Sequence, residues 1–195
     1  MKRSIHAALL FAILCSGGAL AADADLSRPL MLVAKPELRD DVYGRTVIVV
    51  APLGGDVHVG FIVNRSTEAT LGKLFPEDGP SQKVADPVYL GGPHAPQAIF
   101  ALVNAPQPPA GKTLQVIPGL FAAFESELVD DIIRSDAARA KFVAGLVAWR
   151  PGELDGEIDK GAWYVLEPDA ALAMRKPEGL WEELVQRAQA KDKAI

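Results

Sequence analysis

The chain has 195 residues, of which 49% are hydrophobic and 23% charged, and its formal net charge is −5 at pH 7. This length and apolar content suit one domain with a substantial hydrophobic core and exclude disorder as its general state. The acidic balance argues against a nucleic-acid partner, because phosphate backbones are bound through basic patches.

The first 21 residues have the layout of a cleavable secretory signal peptide. Met1-Lys2-Arg3 is basic, residues 7–15 are apolar, and the segment ends in small residues at Ala21. The apolar run is shorter than the roughly 20 residues that a membrane helix needs, so we expect no stable membrane anchor after cleavage. We therefore predict a periplasmic mature domain over residues 22–195. The alternative is a cytosolic protein whose translation begins near Met31.

Cleavage after Ala21 would change both the cysteine content and the charge. Cys15 is the one cysteine of the sequence, so the mature chain could form no disulfide and would have no thiolate ligand or nucleophile. Losing Lys2 and Arg3 would leave 18 basic against 25 acidic residues, a net charge of −7.

Apolar and β-branched runs predict a domain rich in buried strands. In chain order, strands are predicted at residues 30–34, 46–50, 57–63, 87–90, 98–103, 114–117, 141–149 and 163–166. The turn at 53–56 makes the second and third a hairpin. The segment 141–149 also fits a helical face, and Gly145 favours the strand.

Helices are predicted between and after these strands, in chain order at residues 70–75, 126–134, 151–161, 168–174 and 180–190. Ser126 is the expected N-cap of the second, and Pro151 suits the first turn of the third. Residues 76–87, rich in Pro, Gly and Asp, predict a surface loop.

Two loops that follow predicted strands are candidate binding sites. Asn64-Arg65 offers a guanidinium, a planar five-donor group suited to a carboxylate or phosphate. Gly91-Gly92-Pro93 offers paired glycines whose backbone N–H groups could turn toward an anion. We expect the two loops to lie together and to bind a small anionic ligand or a protein partner. The alternative is that Arg65 pairs with a surface carboxylate and the glycines only turn the chain.

Glu153 and Glu157 lie four residues apart on one predicted helix, next to two tryptophans. Such a pair can act as acid and base when an apolar site separates the two pKa values, which makes a hydrolase the alternative function. Carboxylates at this spacing also commonly form a solvated helix face. His58 and His94 are far apart in sequence, so no metal site is predicted, and no motif predicts a cofactor.

Four sequence blocks resemble the signature blocks of the bacterial AlgH/YqgE family. They run over residues 31–36, 59–65, 88–93 and 149–163, and the likeness extends from about Leu30 to Leu184. The resemblance implies a single α/β (mixed α+β) domain: a mixed sheet with a barrel-like centre, surrounded by helices. It implies no established reaction, although members have been described as transcriptional regulators.

The chain departs from the family pattern where Ser66 replaces a proline and His94 replaces a valine, and a histidine usual near residues 102–104 is missing. Most members also lack a signal peptide. We therefore hypothesise an exported binding or accessory module. A hydrolase using the glutamate pair, or a cytosolic transcriptional regulator, are the alternatives.

Overall fold

A computed structural model describes residues 24–193, so the predicted signal peptide and its cleavage site lie outside the described part of the chain. The strands are β1 (Leu30–Ala34), β2 (Val47–Gly54), β3 (Val57–Ile62), β4 (Ser66–Thr70), β5 (Pro87–Leu90), β6 (His94–Asn104), β7 (Thr113–Ile117), β8 (Leu120–Ala123), β9 (Ala140–Trp149) and β10 (Trp163–Leu166). The α-helices are α1 (Leu71–Leu74), α2 (Ser126–Ser135), α3 (Glu153–Asp159), α4 (Ala170–Met174) and α5 (Leu180–Asp192).

The strands form one mixed sheet in the order β10-β1-β2-β3-β9-β6-β8-β7, and β5 joins it through a parallel pairing with β9. The sheet curls until β7 contacts β2, which produces a half-barrel surrounded by helices. This mixed α+β architecture confirms the predicted fold class. Along β1, Met31 and Val33 face the inside of the half-barrel while Leu32 faces the other side. Burial on both faces explains the continuous apolar runs of β1 and β2.

The predicted strands and helices are present, and two further strands were not predicted. β4 has the polar sequence STEAT, which shows no apolar alternation, and it pairs with β5 at Ser66 and Thr70 across a register shift. β8 is only four residues long and follows β7 through a tight turn. Strands this short cannot be separated from their neighbours by periodicity.

Two helix starts differ from the prediction. The N-cap of α2 is Glu125, not Ser126, because Glu125 has the extended backbone of a cap (φ −82°, ψ 132°) and Ser126 is already helical. Helix α3 begins at Glu153 rather than at Pro151, after Gly152 with its left-handed backbone. The segment 141–149 is a strand, as Gly145 indicated.

Strand β9 is the centre of the sheet because it has different partners along its length. Its first half pairs with β5 at Val143 and Ala144, and its last residues pair with β3 at Val147 and Trp149. On the opposite side β6 pairs with its first half, and the pairing ends at His94 with Leu146. The change of partner takes place at Gly145.

Gly145 permits this change because no side chain fits there. Its φ of +73° lies in the left-handed region, and a Cβ atom would stand 2.3 Å from the carbonyl oxygen of Gly92 and 2.8 Å from that of His94. A Cβ on Gly91 would in turn meet the Gly145 carbonyl oxygen at 2.2 Å. The Gly91-Gly92 turn and β9 therefore pack backbone against backbone.

We predict that Gly145→Ala destabilises the domain by about 3 kcal/mol or more, since it combines overpacking with a strained backbone. Gly156→Ala is the matched control, because no heavy atom lies within 4 Å of a Cβ at that helical position. The control should be neutral or up to about 1 kcal/mol more stable. Urea unfolding measures both, and equal midpoints for the two variants would contradict the close packing.

Candidate functional site

An open groove of about 1110 Å³ lies beside the C-terminal half of β9. Helix α3 forms one wall, and the loop that carries Tyr43 contributes to another. The groove is lined by Tyr43, Val57, His94, Ala148, Trp149, Arg150, Pro151, Gly152, Glu153, Gly156, Glu157 and Lys160. It therefore contains both glutamates of the predicted pair and the histidine at position 94.

Glu157 is held by two tryptophans. One of its carboxylate oxygens, Oε2, accepts the indole N–H of Trp149 at 3.1 Å and that of Trp163 at 2.8 Å. Both indoles are buried, and an indole N–H can only donate, so the carboxylate satisfies two groups that would otherwise be unpaired. Tyr43 packs edge-on against Trp163, and burial, followed by the charge of Glu157, raises the pKa of Tyr43.

Glu153 has a different task at the start of α3. Its Oε2 accepts the backbone N–H of Arg150 at 2.8 Å, and Asp56 accepts the N–H of Gly152 at 2.6 Å. These contacts fix the turn between β9 and α3. The two glutamates thus line one groove, but each carboxylate already accepts hydrogen bonds from the chain itself. A role for them as acid and base stays a prediction.

The groove also exposes one edge of β9. The direction of this edge follows from the neighbouring strand β3, which lies between β2 and β9. At the end of β3, the N–H of Ile62 donates to Gly91 on the β9 side, and the N–H of the next residue, Val63, donates to Val47 of β2. Because alternate residues of a strand direct their N–H and C=O groups to opposite sides, Gly60 and His58 face β9 and exchange bonds with Val147 and Trp149. Ala148 lies between these two residues. Its N–H and C=O therefore point away from β3, into the groove.

No strand of the described residues continues the sheet at Ala148 on that side, because the β6–β9 pairing ends at Leu146. Sequence reasoning missed this edge, since strand pairing is not visible in the residues of β9. It also missed Tyr43, Arg150 and Lys160 as groove residues. Arg150 and Lys160 are exposed and place two cations at the rim.

The two predicted loops lie together, as expected. The N–H of Leu90 donates to the carbonyl of Arg65 at 2.8 Å, and the N–H of Ile62 donates to that of Gly91 at 2.9 Å. Gly91 also donates its own N–H to Ala144 of β9 at 2.8 Å. Within the described structure these groups join strands, and the turn ending at Pro93 packs against β9. Their binding to an anion stays a prediction.

Asn64 and Arg65 hold the loop that precedes β2. The Arg65 guanidinium donates to the carbonyls of Asp41, Val42 and Gly44 at 2.9, 2.8 and 3.4 Å. The Asn64 amide accepts the N–H of Val47 and donates to the carbonyl of Arg45. A five-donor guanidinium is well suited to several carbonyls at once, so the motif acts here as a clamp on residues 41–47.

Lys141 is a buried charge that sequence reasoning missed. Only 6% of its surface is exposed, and its Nζ donates to the carbonyls of Val63, Ala173 and Arg175 at 2.7, 2.8 and 2.9 Å. Nζ also lies 4.3 Å from the centre of the Tyr89 ring. Burial lowers the pKa of Lys141 to about 8. A lysine inside an otherwise apolar strand was the signal that could have revealed it.

The described residues contain no cluster of three or more His, Cys, Asp or Glu side chains that could hold a metal ion. His58 is buried and contacts the Leu26 carbonyl through Nε2 at 2.8 Å, whereas His94 is exposed at the groove. In residues 24–193, no helix is both long enough and apolar enough to cross a bilayer.

Known proteins resemble this chain over most of its length. A family model described as AlgH-like matches residues 31–193. A UPF0301 protein of Myxococcus xanthus is 30% identical over 160 residues, covering 79% of this chain and 86% of that protein. A UPF0301 protein of Methylococcus capsulatus is 32% identical over 162 residues, with 80% and 88% covered.

Two solved structures share the fold. The solution structure of the AlgH protein from Pseudomonas aeruginosa has a TM-score of 0.69 at 19% identity, covering 87% of this chain and 91% of that one. A crystal structure of a Corynebacterium diphtheriae protein has a TM-score of 0.67 at 20% identity, covering 83% and 86%. Likeness at this identity supports the curled mixed sheet and its helices, not a shared activity.

The clamp predicts that Arg65→Ala destabilises the domain by about 1–3 kcal/mol, because three carbonyls lose a charged donor. If Arg65 were a free ligand-binding group, its removal would change stability little. Arg39→Ala, at an exposed position of the same loop region, is the control and should stay within about 0.5 kcal/mol of the parent. Chemical denaturation measures the free energy of unfolding of the parent and the two variants. An Arg65→Ala variant as stable as the parent would rule out the clamp.

Lys141 predicts a pH dependence of stability. Its pKa falls from 10.5 to about 8 on folding, so the unfolded chain binds more protons between these values and stability rises with pH across that interval. The gain, up to about 3 kcal/mol, is complete above pH 10.5 and is lost progressively as the pH falls from there to about 8. Tyr43 and Tyr89, whose pKa values burial raises above 10.0, act oppositely at higher pH.

The difference between the parent and Lys141→Met isolates this contribution, because both proteins retain the tyrosines. We expect the parent's free energy of unfolding to rise relative to that of the variant between pH 8 and 10. Denaturant titrations at several pH values measure it. Parallel curves for the two proteins would show that Lys141 keeps its ordinary pKa.

Proposed function

The chain belongs to the AlgH-like family, and on that premise we propose that it is an exported binding module whose groove beside β9 holds an extended segment of a protein partner. The exposed edge of β9 at Ala148 is the observation that carries this proposal. A free strand edge binds an extended peptide through main-chain hydrogen bonds, while neighbouring side chains provide selectivity.

The size of the groove supports a polymeric ligand. Its volume of about 1110 Å³ exceeds the range of roughly 300–1,000 Å³ that is usual for small-molecule pockets. It is open along its length rather than enclosed, with His94 and Lys160 exposed at its rim. A segment lying against Ala148 would pass beside the Arg150 side chain, which could pair with an acidic residue of the partner.

The glutamates favour binding over hydrolysis. General acid–base catalysis needs groups that can exchange a proton with a substrate within hydrogen-bond distance. Glu157 accepts two indole N–H groups and Glu153 accepts a backbone N–H, so both carboxylates stabilise the walls of the groove. Both glutamates therefore have a structural role in the groove, which supports binding as its function.

Export is proposed on the basic, apolar and small-residue regions of the first 21 residues. The exported protein would begin at Ala22 or Asp23, which N-terminal sequencing of the processed chain identifies. The acidic mature domain also argues against nucleic acid as its partner. We therefore place the partner among exported or envelope proteins.

Site-directed photo-crosslinking tests the groove. A photoreactive residue replaces His94 or Lys160 at the rim, one at a time, and replaces Lys112, which does not line the groove, as the control. In the native host, we expect the same crosslinked protein from both rim positions and none from Lys112. Equal crosslinking at all three positions, or none at the rim, would contradict the proposal.

Ala148→Pro then tests the strand edge. Proline removes the N–H that would bind the partner's backbone, so rim crosslinking should fall by about tenfold, as expected for one lost main-chain hydrogen bond. Circular dichroism must show that the variant is folded. Rim crosslinking that persists in the folded variant would mean that the partner binds through side chains alone.

A further inference from the structure

A second cavity, separate from the groove, lies at the other end of β9. Its volume is about 290 Å³, which suits one small molecule rather than a polypeptide. It is bounded by the start of β9, the β4–β5 pair and the chain between α4 and α5. Its polar lining residues are Ser66, Asp86, Tyr89, Lys141, Lys176 and Glu178.

The buried end of the cavity is positively charged. Among the described residues, no carboxylate lies within 4 Å of the Lys141 ammonium, whose hydrogen bonds all go to neutral carbonyls. A buried ion with no carboxylate in direct contact is costly. The three N–H groups of Lys141 are already donated to carbonyls, so a ligand carboxylate at this end of the cavity would be attracted by its charge and take its hydrogen bonds from other groups.

Two residues with hydroxyl groups, Ser66 and Tyr89, line the same cavity. Ser66 and Tyr89 are direct partners in the β4–β5 pairing, so their side chains are neighbours on one face. The Tyr89 ring lies under the Lys141 ammonium, and Lys176 is exposed at the mouth. The lining of the cavity therefore includes two hydroxyls and a second ammonium as hydrogen-bond donors for a carboxylate that Lys141 attracts.

The mouth of the cavity also carries negative charge. Asp86 and Glu178 are both exposed there. The charge of Asp86 acts on Lys141 and Tyr89, and the charge of Glu178 acts on Tyr89. A simple anion would be repelled by these carboxylates, and a simple cation would be repelled by the lysines. A molecule that carries both charges can place its negative group at the lysines and its positive group at the carboxylates.

We propose that this cavity binds a small zwitterion of the amino-acid type. Its carboxylate faces Lys141, Ser66 and Tyr89, and its ammonium faces Asp86 and Glu178. The site is independent of the groove, since the two share no lining residue. Failure of either proposal would leave the other standing.

Thermal unfolding and calorimetric titration of the mature protein with the standard amino acids test this inference. Acetate and methylammonium, each carrying one of the two charges, are the ligand controls. We expect at least one amino acid to raise the melting temperature and to bind at least about tenfold more tightly than either control, because each control loses one charged interaction. Binding of acetate or methylammonium with equal affinity would overturn the zwitterion site, as would no binding by any amino acid.

Variants locate the bound amino acid. Tyr89→Phe and Asp86→Asn each remove one hydrogen-bonding or charged group, and we expect each to weaken binding about tenfold. Both leave the Lys141 contacts in place, so they should fold. Lys176→Ala should also weaken binding, whereas Lys112→Ala, at an exposed lysine outside the cavity, should not. Unchanged affinity in Tyr89→Phe and Asp86→Asn would place the ligand elsewhere and refute the site.

Discussion

The close approach of two backbones, β9 at Gly145 and the Gly91-Gly92 turn, is the constraint on which the rest of the molecule depends. A side chain at Gly91 or Gly145 would stand within 2.3 Å of a carbonyl oxygen of the opposite segment. Because of this contact, β9 pairs with β5 before Gly145 and with β3 after it, and it separates from β6 after Leu146. The groove begins at that separation, so one packing constraint links a sequence motif to a candidate binding surface.

Charged side chains reinforce this framework from within. Arg65 donates to three carbonyls of the loop before β2, and Lys141 joins the end of β3 to α4 and the residue after it. Glu157 binds two buried indoles. Arg65 and Lys141 thus satisfy backbone carbonyls outside the regular strand pairing, and Glu157 satisfies two buried side-chain donors. Ions used in this way fix the backbone and side chains around them.

Much of the fold could be predicted from sequence because buried strands have continuous apolar runs, as in β1 and β2. The polar β4 and the short β8 gave no such signal. The sequence also located the important loops, since Asn64-Arg65 and Gly91-Gly92-Pro93 do lie together. The direction of the Arg65 guanidinium and the free edge at Ala148 depend on tertiary packing. Residue type and spacing do not determine those features.

Amide hydrogen exchange in the free domain, resolved residue by residue by NMR, tests the free strand edge most directly. Val147 and Trp149 donate to β3, and Ala148 between them donates into the groove. The Ala148 amide should therefore exchange at least about a hundredfold faster than its two neighbours, since local opening is not needed to expose it. Equal protection of all three amides would show that the edge is paired. A peptide could then not add to the sheet at Ala148, which contradicts the proposed peptide groove.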